Sequence, residues 1–292
     1  MDFPKEDYEV IIVDGHSVDH TVKIAEKYGC KVVYENVGTI GGARNTGVKH
    51  SSGKYIVFTD VDCVVERSWM NALITTLEES NIASAGGPNL TPEDDSDFAK
   101  SVGAVLSFLS QAGARYGFNA EGTQQIYHNP TCNVAYRREV FLESGGFNGS
   151  LITCDDEELD YRLLEKGHKI VYTSNARVLH YRRPTYKKFM KMAFNYGVGR
   201  MQVTKLHRGM GKWFHYMPIT TIVLLSLLSA LSFTNPFFGL LALITAVAGG
   251  VGIGVMSAYL TTRRHLPFFT EYVLILIWFF GYGFGTLRGV FE

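Results

Sequence analysis

Lys54-Tyr55-Ile56-Val57-Phe58-Thr59-Asp60-Val61-Asp62-Cys63-Val64-Val65 is an apolar run interrupted by two carboxylates one residue apart. Tyr55 to Thr59 is continuous in β-branched and aromatic residues and follows the breaker pair Ser52-Gly53, the pattern of a strand buried on both faces of a parallel sheet. Asp60 and Asp62 then fall where the strand leaves the sheet. Open α/β sheets bind ligands at the carboxyl ends of their strands, so the position is as informative as the residue types. Two hard oxygen ligands there suit Mg²⁺ or Mn²⁺, and a metal so held can in turn hold a substrate diphosphate. A competing reading makes Asp60 the cap of a following helix and Asp62 a solvated turn residue, since turns are rich in Asp. The surrounding motifs favour the metal.

The 292 residues are 46% hydrophobic and carry 28 basic and 28 acidic side chains. That balance hides a division. Up to about Arg208 the chain alternates apolar and charged segments as a soluble domain does, whereas beyond Trp213 acids almost vanish and three apolar runs follow, Trp213 to Phe233, Phe237 to Leu260 and Phe268 to Leu287. Each is long enough to cross about 30 Å of hydrocarbon. Three spans put Arg263-Arg264 on the same side as Lys205, Arg208 and Lys212, with Arg288 the exception. The positive-inside bias then predicts a multi-pass protein of the cell membrane with its soluble domain in the cytoplasm. Zero net charge excludes a nucleic-acid binder that works by bulk electrostatics. Cys30, Cys63, Cys132 and Cys154 form no C-x-x-C pair, so the spacing indicates neither a zinc site nor a disulfide framework but free thiols in a reducing compartment. Residues 1–8 are mostly charged or polar and do not read as a signal peptide.

Upstream of that run, Tyr8 to Gly15 is a second buried-type strand, ending at Asp14, and the helix after it, to about Tyr28, can be capped by Ser17 or Asp19. Cys30 to Glu35 reads as a strand. Gly38-Thr39-Ile40-Gly41-Gly42-Ala43-Arg44-Asn45-Thr46-Gly47 is a glycine-rich turn feeding a helix to about His50. Glycines there would let a phosphate or ribose approach backbone amides, with Arg44 adding charge, although the stretch matches neither the P-loop nor the dinucleotide fingerprint. Ser68 to Ser80 and Arg138 to Ser144 read as helices, Asn81 to Gly86 and His128 to Tyr136 as strands. Asp94 to Tyr116, rich in small residues, reads as a partly helical, substrate-facing insertion and a poor core element.

Thr153-Cys154-Asp155-Asp156-Glu157-Glu158-Leu159-Asp160 opens a further helix, ended by Gly167. Acids favour a helix start, which accounts for most of the crowding. They also arrive beside the glycine-rich, mobile-looking loop Gly145 to Ser150, where a carboxylate is well placed to act as a general base. Lys169 to Thr173 and Arg177 to His180 are short strands. Pro184 starts a basic helix whose apolar face carries Tyr186, Phe189, Met190, Ala193, Phe194 and Tyr196, expected to lie in the membrane interface. The domain reading is therefore 1–183 soluble and catalytic, 184–212 interfacial helix and linker, and 213–292 transmembrane.

Together Val13-Asp14-Gly15-His16-Ser17, Gly42-Ala43-Arg44-Asn45-Thr46-Gly47, Asp60-Val61-Asp62, Asn133-Val134-Ala135-Tyr136-Arg137-Arg138, Gly145-Gly146-Phe147 and Asp155-Asp156-Glu157-Glu158-Leu159-Asp160-Tyr161-Arg162 resemble the family 2 inverting glycosyltransferases. The likeness is to the membrane-anchored members similar to succinoglycan-type exopolysaccharide glycosyltransferases. It implies an α/β fold of GT-A type, a doubly wound, mostly parallel sheet, followed by the interfacial helix and three transmembrane helices. It also implies that Asp14 contacts the nucleotide base, Arg44 the nucleotide, Asp60 the ribose and Asp62 the metal, Mg²⁺ or Mn²⁺. Asp156 stands where the family has its base, although Asp155 replaces the Glu usual in that pair. His180 looks like the histidine that assists the metal or diphosphate in some members. The Gln-X-X-Arg-Trp motif of processive synthases is absent, and Tyr196-Gly197-Val198-Gly199-Arg200 occupies its region. The expectation is inverting transfer of a single sugar from a UDP- or GDP-linked donor to a polyprenyl- or other lipid-linked acceptor, in cell-surface polysaccharide biosynthesis.

One departure bears on this. Family members normally begin with a strand and helix ahead of a segment like Phe3-Pro4-Lys5-Glu6-Asp7-Tyr8, where this sequence starts. Without them the Tyr8 and Tyr55 strands are expected to lack the neighbour between them, leaving backbone groups unpaired. Either the recorded start is late, or the protein is a catalytically impaired relic serving as a membrane binding or assembly partner. A nucleotidyltransferase on the same sheet would use Asp60 and Asp62 but would need no base at Asp156.

Overall fold

The structure, a computed structural model, describes residues 1–112 and 121–292. In chain order the strands and helices are β1 (Ile11–Asp14), α1 (Thr21–Lys27), β2 (Lys31–Tyr34), α2 (Ile40–Lys49), β3 (Tyr55–Thr59), β4 (Cys63–Val65), α3 (Trp69–Glu78), β5 (Ile82–Gly86), β6 (Asn89–Leu90) and α4 (Asp97–Ala112). There follow β7 (Thr123–Ile126), β8 (Asn133–Arg137), α5 (Arg138–Glu143), α6 (Asp155–Glu165), β9 (Lys169–Thr173), β10 (Val178–His180), α7 (Tyr186–Leu206), α8 (Trp213–Leu231), α9 (Pro236–Arg264) and α10 (Phe268–Phe291). The chain packs as two compact units, Met1–Leu90 with Arg115–His180, and Thr91–Ala114 with Tyr181–Glu292.

In the first unit a five-stranded sheet has the order β3-β8-β5-β9-β7. Only β5 and β9 are parallel in it; β3–β8, β8–β5 and β9–β7 run antiparallel. β1 and β2 form a separate parallel pair, and β4-β10-β6 a small sheet in which β10 is antiparallel to β4 and parallel to β6. The pairing is thus mixed, not mostly parallel. A strand buried on both faces reads the same whichever way its neighbours point, so the sequence pattern could not give direction. β1 and β3 lie in different sheets, each pairing with one strand among the described residues.

Alternating side chains of β8 and β9 supply both faces of the larger sheet. Val134, Tyr136, Ile170 and Tyr172 pack with Phe141, Phe147, Leu159 and Leu163 on one side, and Ala135 and Val171 pack with Trp69, Leu73 and Leu77 of α3 on the other. Leu73, Leu77, Leu159 and Leu163 are fully buried, each stabilising the fold by about 1.5–3 kcal/mol. The Trp69 indole N–H donates to Asn133 Oδ1 at 2.7 Å, pinning α3 to the start of β8. α6 packs through Leu159 and Leu163 on the face of the sheet opposite α3.

The second unit holds three helices long and apolar enough to cross a membrane: α8, α9 and α10. The break expected at Thr234-Asn235-Pro236 is built as a cap: Asn235 Oδ1 accepts the Phe237 amide at 2.9 Å and Pro236 opens α9, where its missing N–H is harmless. α7 packs along α10 through glycines spaced four apart. A Cβ on Gly285 would lie 2.0 Å from the Phe194 carbonyl oxygen, one on Gly197 2.1 Å from the Tyr282 carbonyl oxygen, and Gly281 and Gly289 meet Met190, Ala193, Met201 and Val198. Small residues let the two backbones touch, as in membrane helix pairs. Asp94 to Tyr116 departs from expectation. Most of it is α4, whose Val102 and Val105 are fully buried against Phe189, Leu260, Leu274 and Ile275, so it is a core element of this unit; residues 113–116 lie outside the described residues. Its small residues are what close helix packing needs, and that composition resembles a loop's.

Candidate active site

Asp60 and Asp62 occupy a tight turn between β3 and β4. The Cys63 amide donates to the Asp60 carbonyl oxygen at 3.0 Å, and Val61 stands at the exposed tip. The chain leaves Asp62 as strand β4, so neither acid caps a helix. β4 then pairs with β10 in a register that sets Cys63 opposite His180. His180 Nε2 lies 3.2 Å from Asp62 Oδ1, and the candidate ligand atoms of Asp60, Asp62 and His180 all fall within 4.8 Å of one another. Two carboxylates and an imidazole at that separation suit a divalent ion such as Mg²⁺ or Mn²⁺. The strand-end histidine and the acid turn, 118 residues apart in sequence, are brought together by one antiparallel ladder.

Arg44, on the second turn of α2, extends this group toward α6. Its guanidinium is 3.5 Å from Asp60 Oδ1 and 3.1 Å from Asp155 Oδ2. α2 starts from Thr39, whose hydroxyl accepts the Gly42 amide at 3.2 Å and donates to the Gly149 carbonyl oxygen at 2.7 Å. The glycines here do not open backbone to a ligand as expected. The space beside Gly41 is taken by Asp155 and Phe147, and that beside Gly42 by Val37 and Thr39, so they serve close packing of the chain on itself. The loop Gly145 to Ser150 is likewise anchored, not loose. Asn45 exchanges two hydrogen bonds with the Phe147 backbone, at 2.7 and 3.0 Å, and the Arg162 guanidinium donates to the carbonyls of Ser144 and Gly146.

The two acids that open α6 stand in different surroundings. Asp155 is buried, and burial, then the neighbouring Asp156 charge, push its carboxyl up to about 6 despite Arg44. Asp156 is more open, its side chain 18% exposed. Asp156 Oδ2 accepts from the Thr131 amide at 3.2 Å and hydroxyl at 3.3 Å, and lies 3.8 Å from His128 Nε2. Behind it Asp160, fully buried, takes His128 Nδ1 at 2.8 Å, the Asn129 amide at 2.9 Å and the Tyr136 hydroxyl at 3.1 Å. Burial opposes protonation of His128, but Asp156 and Asp160 outweigh it and raise its pKa. Cys154, immediately before the pair, holds the left-handed backbone region at φ 64°, a conformation that costs a non-glycine residue of order 1–3 kcal/mol and clusters at functional sites.

Asp60, Asp62, His180, Arg44 and Asp156 are therefore linked in one chain of contacts through Asp155. Asp14 is not joined to it by an ion pair among the described residues. It ends β1, nearly buried, where the Ser17 hydroxyl and amide hold its carboxyl below the usual range. Beside it His16, itself at φ 63°, stacks on Tyr34 with ring centroids 5.3 Å apart. The sequence reading missed Asp155 as the Arg44 partner and missed His128, Thr131, Tyr136 and Asp160. Asp160 falls one turn beyond Asp156 on the same helix face, a signal that was legible. His128, inside a stretch read as strand, gave none; the structure starts β8 at Asn133 and leaves 128–132 as a turn over α6.

The Cys63 thiol lies beside the Cys132 thiol and the His180 imidazole. Hydrogen bonding with Cys132, opposed by burial and aided by His180, draws Cys63 down to about 5. The Asn89 side-chain amide donates to Cys132 Sγ at 2.8 Å.

Residues 2–145 match the model of glycosyl transferase family 2. The chain is 27% identical over 219 residues to glycosyltransferase AglE of Haloferax volcanii, covering 70% of this chain and 67% of that one. It is 25% identical over 215 residues to the dolichyl N-acetyl-alpha-D-glucosaminyl phosphate 3-beta-D-2,3-diacetamido-2,3-dideoxy-beta-D-glucuronosyltransferase of Methanococcus voltae, covering 68% of this chain and 65% of that one. The matched region thus spans about two thirds of these relatives' length. Among solved structures, the mannosyltransferase PcManGT of Pyrobaculum calidifontis, in complex with GDP-Man and Mn²⁺, superposes with a TM-score of 0.60 over 99% of this chain and 79% of that one at 17% identity. That likeness bears on the fold, which is the GT-A type expected from the motifs.

Proposed function

We propose, for a chain whose residues 2–145 are a family 2 glycosyltransferase domain, that it transfers a single sugar from a UDP- or GDP-linked donor to a lipid-linked acceptor at the membrane, with inversion at the anomeric carbon. The observation that carries this reading is Arg44, which spans Asp60 and Asp155 and so draws the acid turn of β3 and the acidic start of α6 into one site. Asp156, next along the helix, is the general base: its open carboxylate accepts the proton of the acceptor hydroxyl as that oxygen attacks the anomeric carbon. Thr131 and His128 orient the carboxylate, and Asp160 holds His128 in turn. Asp62 and His180 would hold a divalent ion, Asp60 would serve the ribose and Asp14 the base. When bound, such an ion supplies Lewis-acid stabilisation of charge on the departing diphosphate. Arg44 contributes fixed positive charge on the same side.

The dolichyl-linked acceptor in the name of the Methanococcus voltae relative and the three apolar helices support a lipid-linked acceptor and a membrane location. The soluble unit faces the cytoplasm, as the basic residues flanking the helices indicate. The test compares Asp156→Asn with the parent chain. Calorimetry with nucleotide-sugar is expected to give unchanged donor affinity, while the rate of transfer to a polyprenyl-linked acceptor falls about 10²- to 10⁴-fold. An unchanged rate, or loss of donor binding, overturns the assignment of Asp156 as base.

A further inference from the structure

We propose that Cys63, Cys132 and His180 form a soft-metal site that takes Zn²⁺, separate from the carboxylate site and coupled to it through the shared histidine. Ligand atoms of the three residues lie within 4.8 Å of one another. A tetrahedral Zn²⁺, at about 2.3 Å from sulfur and 2.0–2.1 Å from nitrogen, needs its ligand atoms nearly 4 Å apart, so small side-chain rotations close the set. The scaffold is rigid. Cys63 and His180 are direct cross-strand partners in the β4–β10 ladder, which puts their side chains on one face, and Cys132 enters from the turn before β8. Asn89, on β6 in the same small sheet, donates its amide to Cys132 Sγ, the kind of hydrogen bond that favours a thiolate ligand. Cys132 is buried and Cys63 half-buried, while the His180 side chain is 15% exposed, so the set is sheltered yet reachable from the side of the Asp60–Asp62 turn.

Ligand chemistry separates the two sites. Carboxylates prefer Mg²⁺ and Mn²⁺, whereas two thiolates and an imidazole prefer Zn²⁺. On binding, each cysteine gives up its S–H proton to solvent and the ion takes the two thiolates, His180 and water; no oxidant or reductant is required. His180 belongs to both groups, so Zn²⁺ on the thiolates takes it from the Asp62 site. Zn²⁺ is accordingly an inhibitor of the transfer reaction, a consequence that rests on the proposed activity; the site itself does not.

The full chain in detergent, kept reduced, is titrated with Co²⁺ as a spectroscopic stand-in and then with Zn²⁺. A thiolate-to-Co²⁺ charge-transfer band is expected, displaced by Zn²⁺, lost in Cys63→Ser and Cys132→Ser, and retained in Asp62→Ala, where the carboxylate set is broken. Absence of the band in the parent chain overturns the site, as does its survival in Cys132→Ser; its loss in Asp62→Ala overturns the separation of the two sites. These readouts need no turnover, so they stand even if the sugar-transfer reading fails. Zn²⁺ is expected to inhibit the parent at least 10-fold more strongly than Cys132→Ser in the presence of Mn²⁺. Equal inhibition of both overturns the coupling.

Discussion

Replacing Asp155 by Asn is expected to stabilise the protein at neutral and alkaline pH. Asp155 is 3% exposed and shares its helix turn with Asp156, and its carboxyl is raised from 3.8 to about 6 by burial first and by Asp156 second. The folded state therefore binds this proton more tightly than the unfolded chain does. Its favourable contribution is complete below pH 3.8 and is lost as the pH rises through about 6. At about 1.4 kcal/mol per pH unit, the gap between those values makes the ionised side chain a burden of about 3 kcal/mol above pH 6. Asn has the shape and neutrality of the protonated acid. The variant should match the parent near pH 4 and exceed it by up to about 3 kcal/mol at pH 8, where 1 kcal/mol corresponds to about 2–4 °C in Tm for a fold of this size. Differential scanning of both chains in one detergent, at one scan rate and at several pH values, gives the difference curve. A variant less stable than the parent at pH 8 refutes the reasoning, because the 3.1 Å pair with Arg44 would then outweigh the cost of burial. An ionised Asp155 held at such a cost is the kind of destabilisation that functional sites keep.

Asp62→Ala is expected to reduce transfer at least about 100-fold with the fold intact by circular dichroism, and EDTA to do the same to the parent; full activity in either refutes the metal assignment. Asp160→Ala strands His128, the Asn129 amide and the Tyr136 hydroxyl in the core, and should cost about 3–5 kcal/mol in denaturant unfolding, against less than about 1 for Asp19→Ala in the exposed turn ahead of α1. Gly285→Leu drives a side chain into the Phe194 carbonyl and should lower the melting temperature of the detergent-solubilised chain, whereas Gly249→Leu, with nothing within 4 Å of its Cβ, should not.

Much of the fold was legible because its elements are strongly patterned. The β-branched run of β3, the β9 boundaries at Lys169 and Thr173, and the three apolar helices stand nearly where the sequence puts them. What it could not give was strand direction, since β8 is buried on both faces and carries no mark of its antiparallel entry. β4 and β6, three and two residues long, are too short for periodicity to register. At the site, acids at strand and helix ends announced themselves. Their partners did not: Arg44 meets Asp155 across 111 residues, and Cys63 meets Cys132 across 69, pairings set by sheet order and invisible to local spacing. Spacing alone made all four cysteines unconnected thiols, yet two of them are neighbours in space.

The packing of α4, α7, α9 and α10 has a consequence for how the chain is made. Their shared core joins Val102 and Val105 to Phe189, Leu260, Leu274 and Ile275, so the ribosome delivers its first contributor about 170 residues before its last. Neither α4 nor α7 can complete its packing while α10 is still being synthesised. During that interval the face of α7 that packs on α10 is exposed to lipid or to insertion factors, and a stalled or nicked chain lacking α10 would present it to the quality-control machinery. Assembly of this unit therefore waits on α10, which acts as the timing element of biogenesis.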